Sequence, residues 1–350
     1  MRKSDLKILL IGPALNKKKN NIGGATLSFT HTVDYFKEQN YSVEQINTQK
    51  FSGSLSSVLN LFFVVISCFF FFTKRTVVFA NLSQGGIKYL APLLVTLARL
   101  FRINIIIRAF GGAMDLHYEA SNSLWQAIYR YTLKKSLIFY LETKALKNYF
   151  DGHSSNIKQL VNPRKPVTKQ PAKEPKSFKG RFVFIGQIRK DKGINEILYA
   201  IKNVDPSVII HIYGPIIEDD LVFIEKEIPN YKGILAIDQV VNTLHNYDVL
   251  LLPTYYQGEG YPGIIVEAFS IGMPVISTNW RAIPELVKNN INGVLIDPKS
   301  PDALIRAINQ FGKLDYSVMS QRALESFNQN FQTNNVMGSV ENDIKRVSKG

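Results

Sequence analysis

Two carboxylates, Glu259 and Glu267, flank a Gly-Tyr-Pro-Gly turn in the stretch GEGYPGIIVEAF, residues 258–269. A carboxylate accepts hydrogen bonds and donates none, which suits a vicinal diol such as that of ribose. The apolar run before the turn, YDVLLLP (Tyr247–Pro253), has the composition of a buried parallel strand. After it, Ile264, Ile265, Ala268, Phe269 and Ile271 recur at helical spacing. The order is therefore strand, glycine loop, helix, and the first N–H groups of that helix can hold an anion above the strand ends. A phosphate on the N–H groups of Ile264 and Ile265 would be repelled by an acid aimed at it. Glu267, read as lying in the first helical turn, is thus expected to point past the phosphate to neutral hydroxyls, with Glu259 meeting hydroxyls on the other side. A phosphate with a polyol at each end is a nucleotide sugar. Singly, each acid has a plainer explanation: a helix-start acid favoured by the dipole, and a surface loop acid.

Other loops at strand ends bear on the same chemistry. FIGQIRKDKGI (Phe184–Ile194) supplies Arg189, Lys190 and Lys192 just before a helix. A Lys there opposes the helix dipole, and a bound anion explains it better than fold stability does, although a solvated basic turn is the ordinary alternative. Gly23-Gly24 follows the first strand and opens a helix, where backbone N–H groups can approach a phosphate; a plain helix-start turn accounts for the pair equally well. Tyr213–Pro215 says little alone. Gly258, Gly260 and Gly263 fit G-x-G-x-x-G with Glu285 further on, the spacing of a dinucleotide site. The loop starts late after its strand, contains Pro262 and follows a late strand, so an NAD enzyme is a minor alternative.

The elements that must position these residues alternate along the whole chain. Strand-like runs fall at Lys7–Ile11, Tyr41–Ile46, Thr76–Ala80, Asn104–Arg108 and Leu137–Leu141, with helical stretches including Ala25–Gln39, Gly86–Phe101 and Leu124–Lys135 between them. A Pro- and Lys-rich segment, Asn162–Gly180, has little to bury and reads as a linker. The rhythm restarts at Arg181–Gly186, Ser207–Gly214, Asp248–Pro253, Pro274–Thr278 and Gly293–Ile296, with helices such as Ile194–Lys202 and Pro301–Phe311. The expected fold is α/β: two doubly wound, Rossmann-like parallel-sheet domains facing across a cleft, the default site for a ligand at strand carboxyl ends. The expected domains are 1–165 and 181–330, joined by a linker at 166–180, with the tail 331–350 packing back on the first.

Composition narrows the partners. The chain has 350 residues, of which 45% are hydrophobic and 20% charged, a globular balance long enough for two cores. Lone Cys68 excludes an intramolecular disulfide framework, and the five scattered His show no metal-site spacing. Lys and Arg number 26 against 9 acids up to residue 180 and 16 against 19 beyond it, so the first part carries +17 and the second −3 of the net +14. The first half should meet something anionic. The Lys17–Lys19 run and the linker lack interleaved stacking aromatics, which argues against nucleic acid and leaves a phosphorylated substrate or an anionic membrane surface, the latter being the expected partner. The N-terminus resembles a secretion signal, but Leu6–Ile11 stops at Gly12-Pro13 without a small-residue cleavage site and reads as a first strand. The apolar run Leu61–Phe72 is shorter than the ~20 residues needed to span a bilayer, so a buried or interfacial helix is expected.

GEGYPGIIVEAFSIGMPVIST resembles the E-x7-E region of the family-four retaining glycosyltransferases of the GT-B fold, in their polysaccharide-assembly branch. FIGQIRKDKGI resembles their G-R-x4-K-G loop, IGGATLSF their N-terminal Gly-Gly loop, and TNWRAIPELVKNNINGVLI continues the similarity. The resemblance implies that Lys192 contacts the donor phosphates, Glu267 the ribose, Glu259 the donor sugar, and Gly263 and Ile264 the diphosphate through backbone N–H. Glu259 and Lys192 would then carry catalysis, and Gly23 and Gly24 would join the donor site. It further implies a nucleotide-diphosphate sugar as co-substrate, no cofactor and no metal. The acceptor would be a glycan or lipid-linked hydroxyl in capsule, exopolysaccharide or O-antigen assembly, met in the cytoplasm at the inner face of the plasma membrane. Two departures matter. Gln187 stands where the family has Arg, leaving Arg189 as a substitute cation, and no His follows the fourth strand in IIIRAFGGAMD. Arg108 and Asp115 are the expected acceptor-side residues. A nucleotide-sugar epimerase of the same fold, or a basic nucleic-acid-binding module, are the remaining alternatives.

Overall fold

A computed structural model describes residues 6–15, 23–73, 75–166 and 177–349. The run Lys17–Lys19 and most of the expected linker lie outside the described residues. The chain divides into two units, one formed by Met1–Arg164 with Gln332–Gly350 and the other by Lys165–Phe331.

Unit 1 is a six-stranded sheet: β1 (Lys7–Gly12), β2 (Ser42–Asn47), β3 (Thr76–Leu82), β4 (Asn104–Ala109), β5 (Ile138–Leu141) and β6 (Ile157–Gln159), in the order β2-β1-β3-β4-β5-β6. Every pairing is parallel. All seven residues of β3 are buried, as a strand covered on both faces requires. Alternate residues of β1 enter opposite layers. Leu9 and Ile11 meet the helices Ser56–Phe71, Ala91–Leu100 and Ser123–Lys135 through Val64, Cys68, Leu94 and Leu133. Ile8 and Leu10 meet the helices Gly24–Glu38 and Thr333–Val347 through Phe29, Phe36, Met337 and Val340.

The helix Thr333–Val347 is fastened to this sheet by polar bonds as well. Tyr35 and Tyr41 each donate a hydroxyl hydrogen bond of 2.9 Å to the buried Glu341 carboxylate. Tyr140 donates one of 2.6 Å to Asp343, which also pairs with Lys158 at 2.6 Å. Burial, reinforced by these carboxylates, pushes all three phenols well above the usual tyrosine range.

Unit 2 is a five-stranded parallel sheet: β7 (Arg181–Ile185), β8 (Ile209–Tyr213), β9 (Val249–Leu252), β10 (Val275–Thr278) and β11 (Gly293–Ile296), ordered β11-β10-β9-β7-β8. Every residue of β9 and β10 is buried. Helices fill the connections, as parallel strands demand.

Three details depart from the expected elements. The segment expected as one helix over Gly86–Phe101 has a π-helical turn at Gly86–Leu90 ahead of the α-helix Ala91–Leu100. Pro92 sits near the junction; it cannot donate and its ring crowds the preceding turn. Strand β6 is three residues long, too short to leave a periodic signal. The apolar run Leu61–Phe72 lies along the helix Ser56–Phe71, in which Asn60, Val64 and Cys68 are fully buried and Leu61, Phe63, Val65 and Phe71 pack partly buried against the core. No helix among the described residues is long and apolar enough to cross a membrane.

Candidate functional site

Two loops of unit 2, one after β7 and one after β9, place most of the expected donor residues. Gly186 and the exposed Gln187 follow β7, and Arg189 leads into a short 3₁₀ turn, Lys190–Lys192. Gly193 then turns the chain into the helix Ile194–Asn203 at φ 81°, and a Cβ there would lie 2.2 Å from the Pro253 carbonyl oxygen. Only glycine fits both demands. The two loops are laced together where the Tyr255 N–H donates to the Asp191 carbonyl at 2.8 Å.

Within this frame Lys192 and Glu259 meet directly. The Lys192 ammonium donates to Glu259 Oε2 at 2.6 Å, and Thr254 Oγ1 donates to the same oxygen at 2.7 Å. Glu259 is 6% exposed and Thr254 fully buried, so this is a desolvated, hydrogen-bonded pair rather than a surface contact. The Tyr256 ring lies beneath both cations, its centroid 4.8 Å from Lys192 Nζ and 5.1 Å from the Arg189 guanidinium carbon. Arg189 spends its charge locally, pairing with Asp191 at 2.7 Å.

The helix Gly263–Ser270 begins at Pro262 with no side-chain cap. The N–H groups of Ile265 and Val266 donate back to the Pro262 carbonyl, whereas those of Gly263 and Ile264 have no acceptor among the described residues. Two aligned, unspent donors at a helix start form an anion-binding geometry. They are Gly263 and Ile264, one position earlier than the Ile264 and Ile265 suggested by the spacing alone. Glu267 is half-buried and begins the second turn, because the helix starts at Gly263 and no acid lies in its first turn. The expectation of a first-turn acid is corrected, and the dipole loses most of its claim on this residue.

In unit 1, Gly23 caps the helix Gly24–Glu38 without a side chain, and a Cβ on Gly23 or Gly24 would meet nothing within 4 Å. Arg108 is a correction. It is 1% exposed and donates to the Val161 carbonyl at 3.0 Å and to Asn162 Oδ1 at 2.9 Å. Burial lowers its pKa to about 10 against the opposing pull of Glu142. A guanidinium so enclosed holds the 161–162 segment and offers no open surface to an acceptor. Asp115 is half-buried in the first turn of the helix Met114–Glu119. Among the described residues no group of three or more His, Cys, Asp or Glu could hold a metal ion.

Thr254 and Tyr256 are site residues that motif reasoning passed over. Both lie in the loop PTYYQGEG (253–260), whose hydroxyl and ring next to a buried acid were the available signal. Buried Glu142, which accepts the Gly111 N–H at 3.0 Å, was also passed over.

Residues 167–328 match the family model Glycosyl transferases group 1. Among curated proteins, a 136-residue stretch is 30% identical to the putative teichuronic acid biosynthesis glycosyltransferase TuaC of Bacillus subtilis, covering 37% of this chain and 32% of that one. An alignment over 136 residues is 28% identical to the capsular polysaccharide biosynthesis glycosyltransferase CapM of Staphylococcus aureus, covering 36% of this chain and 35% of that one. The chain thus spans about a third of the length of these curated relatives. Among solved structures, Anabaena Alr3699/HepE in complex with UDP superposes with a TM-score of 0.72 at 15% identity, over 97% of this chain and all of that one. The architecture is that of the GT-B fold: two α/β units, each built on a parallel sheet.

Proposed function

We propose that this chain, whose second unit carries a glycosyl transferases group 1 domain, moves a sugar from a nucleotide-diphosphate sugar to a hydroxyl of a glycan or lipid-linked acceptor. The observation that carries the reading is the largely desolvated Lys192–Glu259 pair in the loop that leads to the unspent N–H groups of Gly263 and Ile264. The diphosphate lies on those N–H groups and draws the Lys192 ammonium. The sugar then takes over hydrogen bonds of Glu259, and Glu267 receives the ribose hydroxyls. The names of TuaC and CapM support a product in surface-polysaccharide assembly.

Transfer proceeds with retention of configuration. The bond from the anomeric carbon to the phosphate oxygen breaks with its electron pair going to that oxygen. The acceptor oxygen bonds the same face of the anomeric carbon, and its proton passes to the departing diphosphate. No separate base or metal is then needed; positioning and charge stabilisation by Lys192 and the helix N–H groups suffice. The reaction takes place on the cytoplasmic face of the membrane, to which basic unit 1 attaches.

A thermal-shift screen over UDP, GDP, ADP and CMP sugars tests the donor side, since a ligand of the native state alone raises stability by mass action. One nucleotide class should stabilise the protein and support transfer undiminished by a chelator. Donor turnover without acceptor would identify an epimerase instead, and no stabilisation by any nucleotide would remove the proposal.

A further inference from the structure

Unit 1 contains a cavity of about 760 Å³ between the segment 48–64 and the segment 82–90. Thr48 directly follows β2 and Ser83 directly follows β3, so the cavity opens at the carboxyl ends of the strands, where α/β sheets take ligands. Its lining is unusual for this half of the chain. In a half carrying +17 overall, no Asp, Glu, Lys, Arg or His among the described residues lines the cavity, and the neighbouring Lys50 and Lys88 are stacked on Phe63 at 3.9 Å and on Tyr89 and Trp125 at 5.3 and 5.0 Å. Leu61, Val64, Leu82 and Leu90 form an apolar side, while Thr48 and Ser83 belong to a side of hydroxyls without side-chain partners among the described residues. Asn60, by contrast, is spent closing its own loop on the Phe51 N–H and carbonyl. At the rim stands Tyr89, 50% exposed, its ring held edge-on against Trp125 at 5.3 Å.

Such a lining offers an ion inside the cavity no countercharge, the rim lysines being held on aromatic rings, so an ion would lose water there for little return. It suits a ligand that is neutral, hydroxylated on one side and apolar on the other, with a ring face to lay against Tyr89. We propose that this cavity binds the uncharged sugar of a glycoside with an apolar aglycone, as the acceptor-recognition site of the transfer reaction. The inference rests on the transferase reading but names what that reading leaves open: the acceptor is recognised through a neutral sugar and its apolar neighbour, not through a phosphate.

Gly85 gives a clean test. It lines the cavity in right-handed helical geometry, φ −61° and ψ −38°, and a Cβ there meets no atom within 4 Å. Gly85→Phe therefore fills the space without straining the backbone, and Gly85→Ala is the control. Submicellar n-octyl glucoside, galactoside and N-acetylglucosaminide are titrated against the full chain, with n-octyl phosphocholine as the charged-headgroup comparison. At least one octyl glycoside should bind, Gly85→Phe should weaken it tenfold or more, Gly85→Ala should not, and octyl phosphocholine should bind at least tenfold more weakly. Nucleoside diphosphate affinity, measured in parallel, should stay within twofold. Absence of glycoside binding, binding indifferent to Gly85→Phe, or equal binding of octyl phosphocholine would each overturn the inference. If nucleotides fail to bind, the transferase reading falls, while the glycoside titration still decides what the cavity holds.

Discussion

Glu259 and Glu267 were expected at opposite ends of one ligand, with Lys192 on its phosphates between them, and the structure joins Lys192 to Glu259 at 2.6 Å. That contact changes what their variants should do. Lys192→Ala should lower kcat/KM by about 100- to 1,000-fold, the usual loss for one positioned donor at a developing anion. It should also lower stability by on the order of 3 kcal/mol, because a buried carboxylate loses its counter-charge. Denaturant titration of Lys192→Met with Glu259→Gln should recover that stability while transfer stays lost; recovery of both would make the pair purely structural. Glu259→Gln releases Lys192, so nucleoside diphosphate affinity should hold or tighten as transfer collapses. Glu267→Ala should instead weaken the nucleoside diphosphate itself, by about 1.5–3 kcal/mol for a charge-assisted hydrogen bond, roughly ten- to a hundred-fold in Kd. Calorimetry on both variants separates the roles, and an equal loss in both would refute the division. The residue types were legible from GEGYPGIIVEAF and FIGQIRKDKGI. Their meeting across 67 positions was not, because nothing local to either loop encodes the lacing of Tyr255 to Asp191. Arg108 was misread for a related reason: a strand-end arginine looks the same in sequence whether it faces solvent or braces a neighbouring segment.

At the scale of elements, the helix Ser56–Phe71 buries Asn60, Val64 and Cys68, packs Leu61, Phe63, Val65 and Phe71 partly against the core, and leaves Leu59, Phe62, Ile66, Phe69 and Phe70 outward, Phe70 at 79% exposure. Leu100 and Phe101 extend this surface, the latter ring-to-ring with Phe69 at 5.5 Å. Lys7 and Lys50 stand over Phe71 and Phe63 at its margin. An apolar face flanked by lysines matches an anionic bilayer, where each nearby cation contributes about 1 kcal/mol. Flotation with phosphatidylglycerol vesicles should recover the protein at low salt. Phe62→Ser with Phe70→Ser should lose it from the lipid fraction without loss of fold; equal flotation with neutral vesicles and with this variant would refute the idea. The helix Thr333–Val347 makes a different prediction. Tyr35, Tyr41 and Tyr140 have phenols raised above the unfolded value of about 10. A raised folded pKa holds its stability below the unfolded value and loses it as pH rises. The contribution of these phenols should therefore be constant from neutral pH to about 10 and lost above it, so unfolding midpoints should drop there, and Tyr35→Phe with Tyr41→Phe should flatten that drop. The strands were the most legible elements, since buried parallel strands such as β3 and β9 are unbroken apolar runs. The π turn at Gly86–Leu90 was not, because a helix period barely changes over five residues.

For the molecule as a whole, two α/β units could be read from the recurring rhythm of strand and helix, and the charge contrast of +17 against −3 already separated a basic half from a near-neutral one. The units part at 164–165. Unit 2 interrupts unit 1. The chain leaves at Arg164 and returns at Gln332, where the Thr333 N–H donates to the Arg164 carbonyl at 3.0 Å. A ribosome adds about 5–20 residues per second and lets each domain fold once its residues are out. Every residue of unit 2 has therefore been made before Glu341 and Asp343 exist. Until they arrive, the sheet of unit 1 waits with three tyrosine hydroxyls unmet and the face of Leu10, Phe79 and Ile106 missing one of its two covering helices. The newborn chain must hold its earliest strands unfinished the longest, which makes unit 1 the half that a chaperone would have to guard.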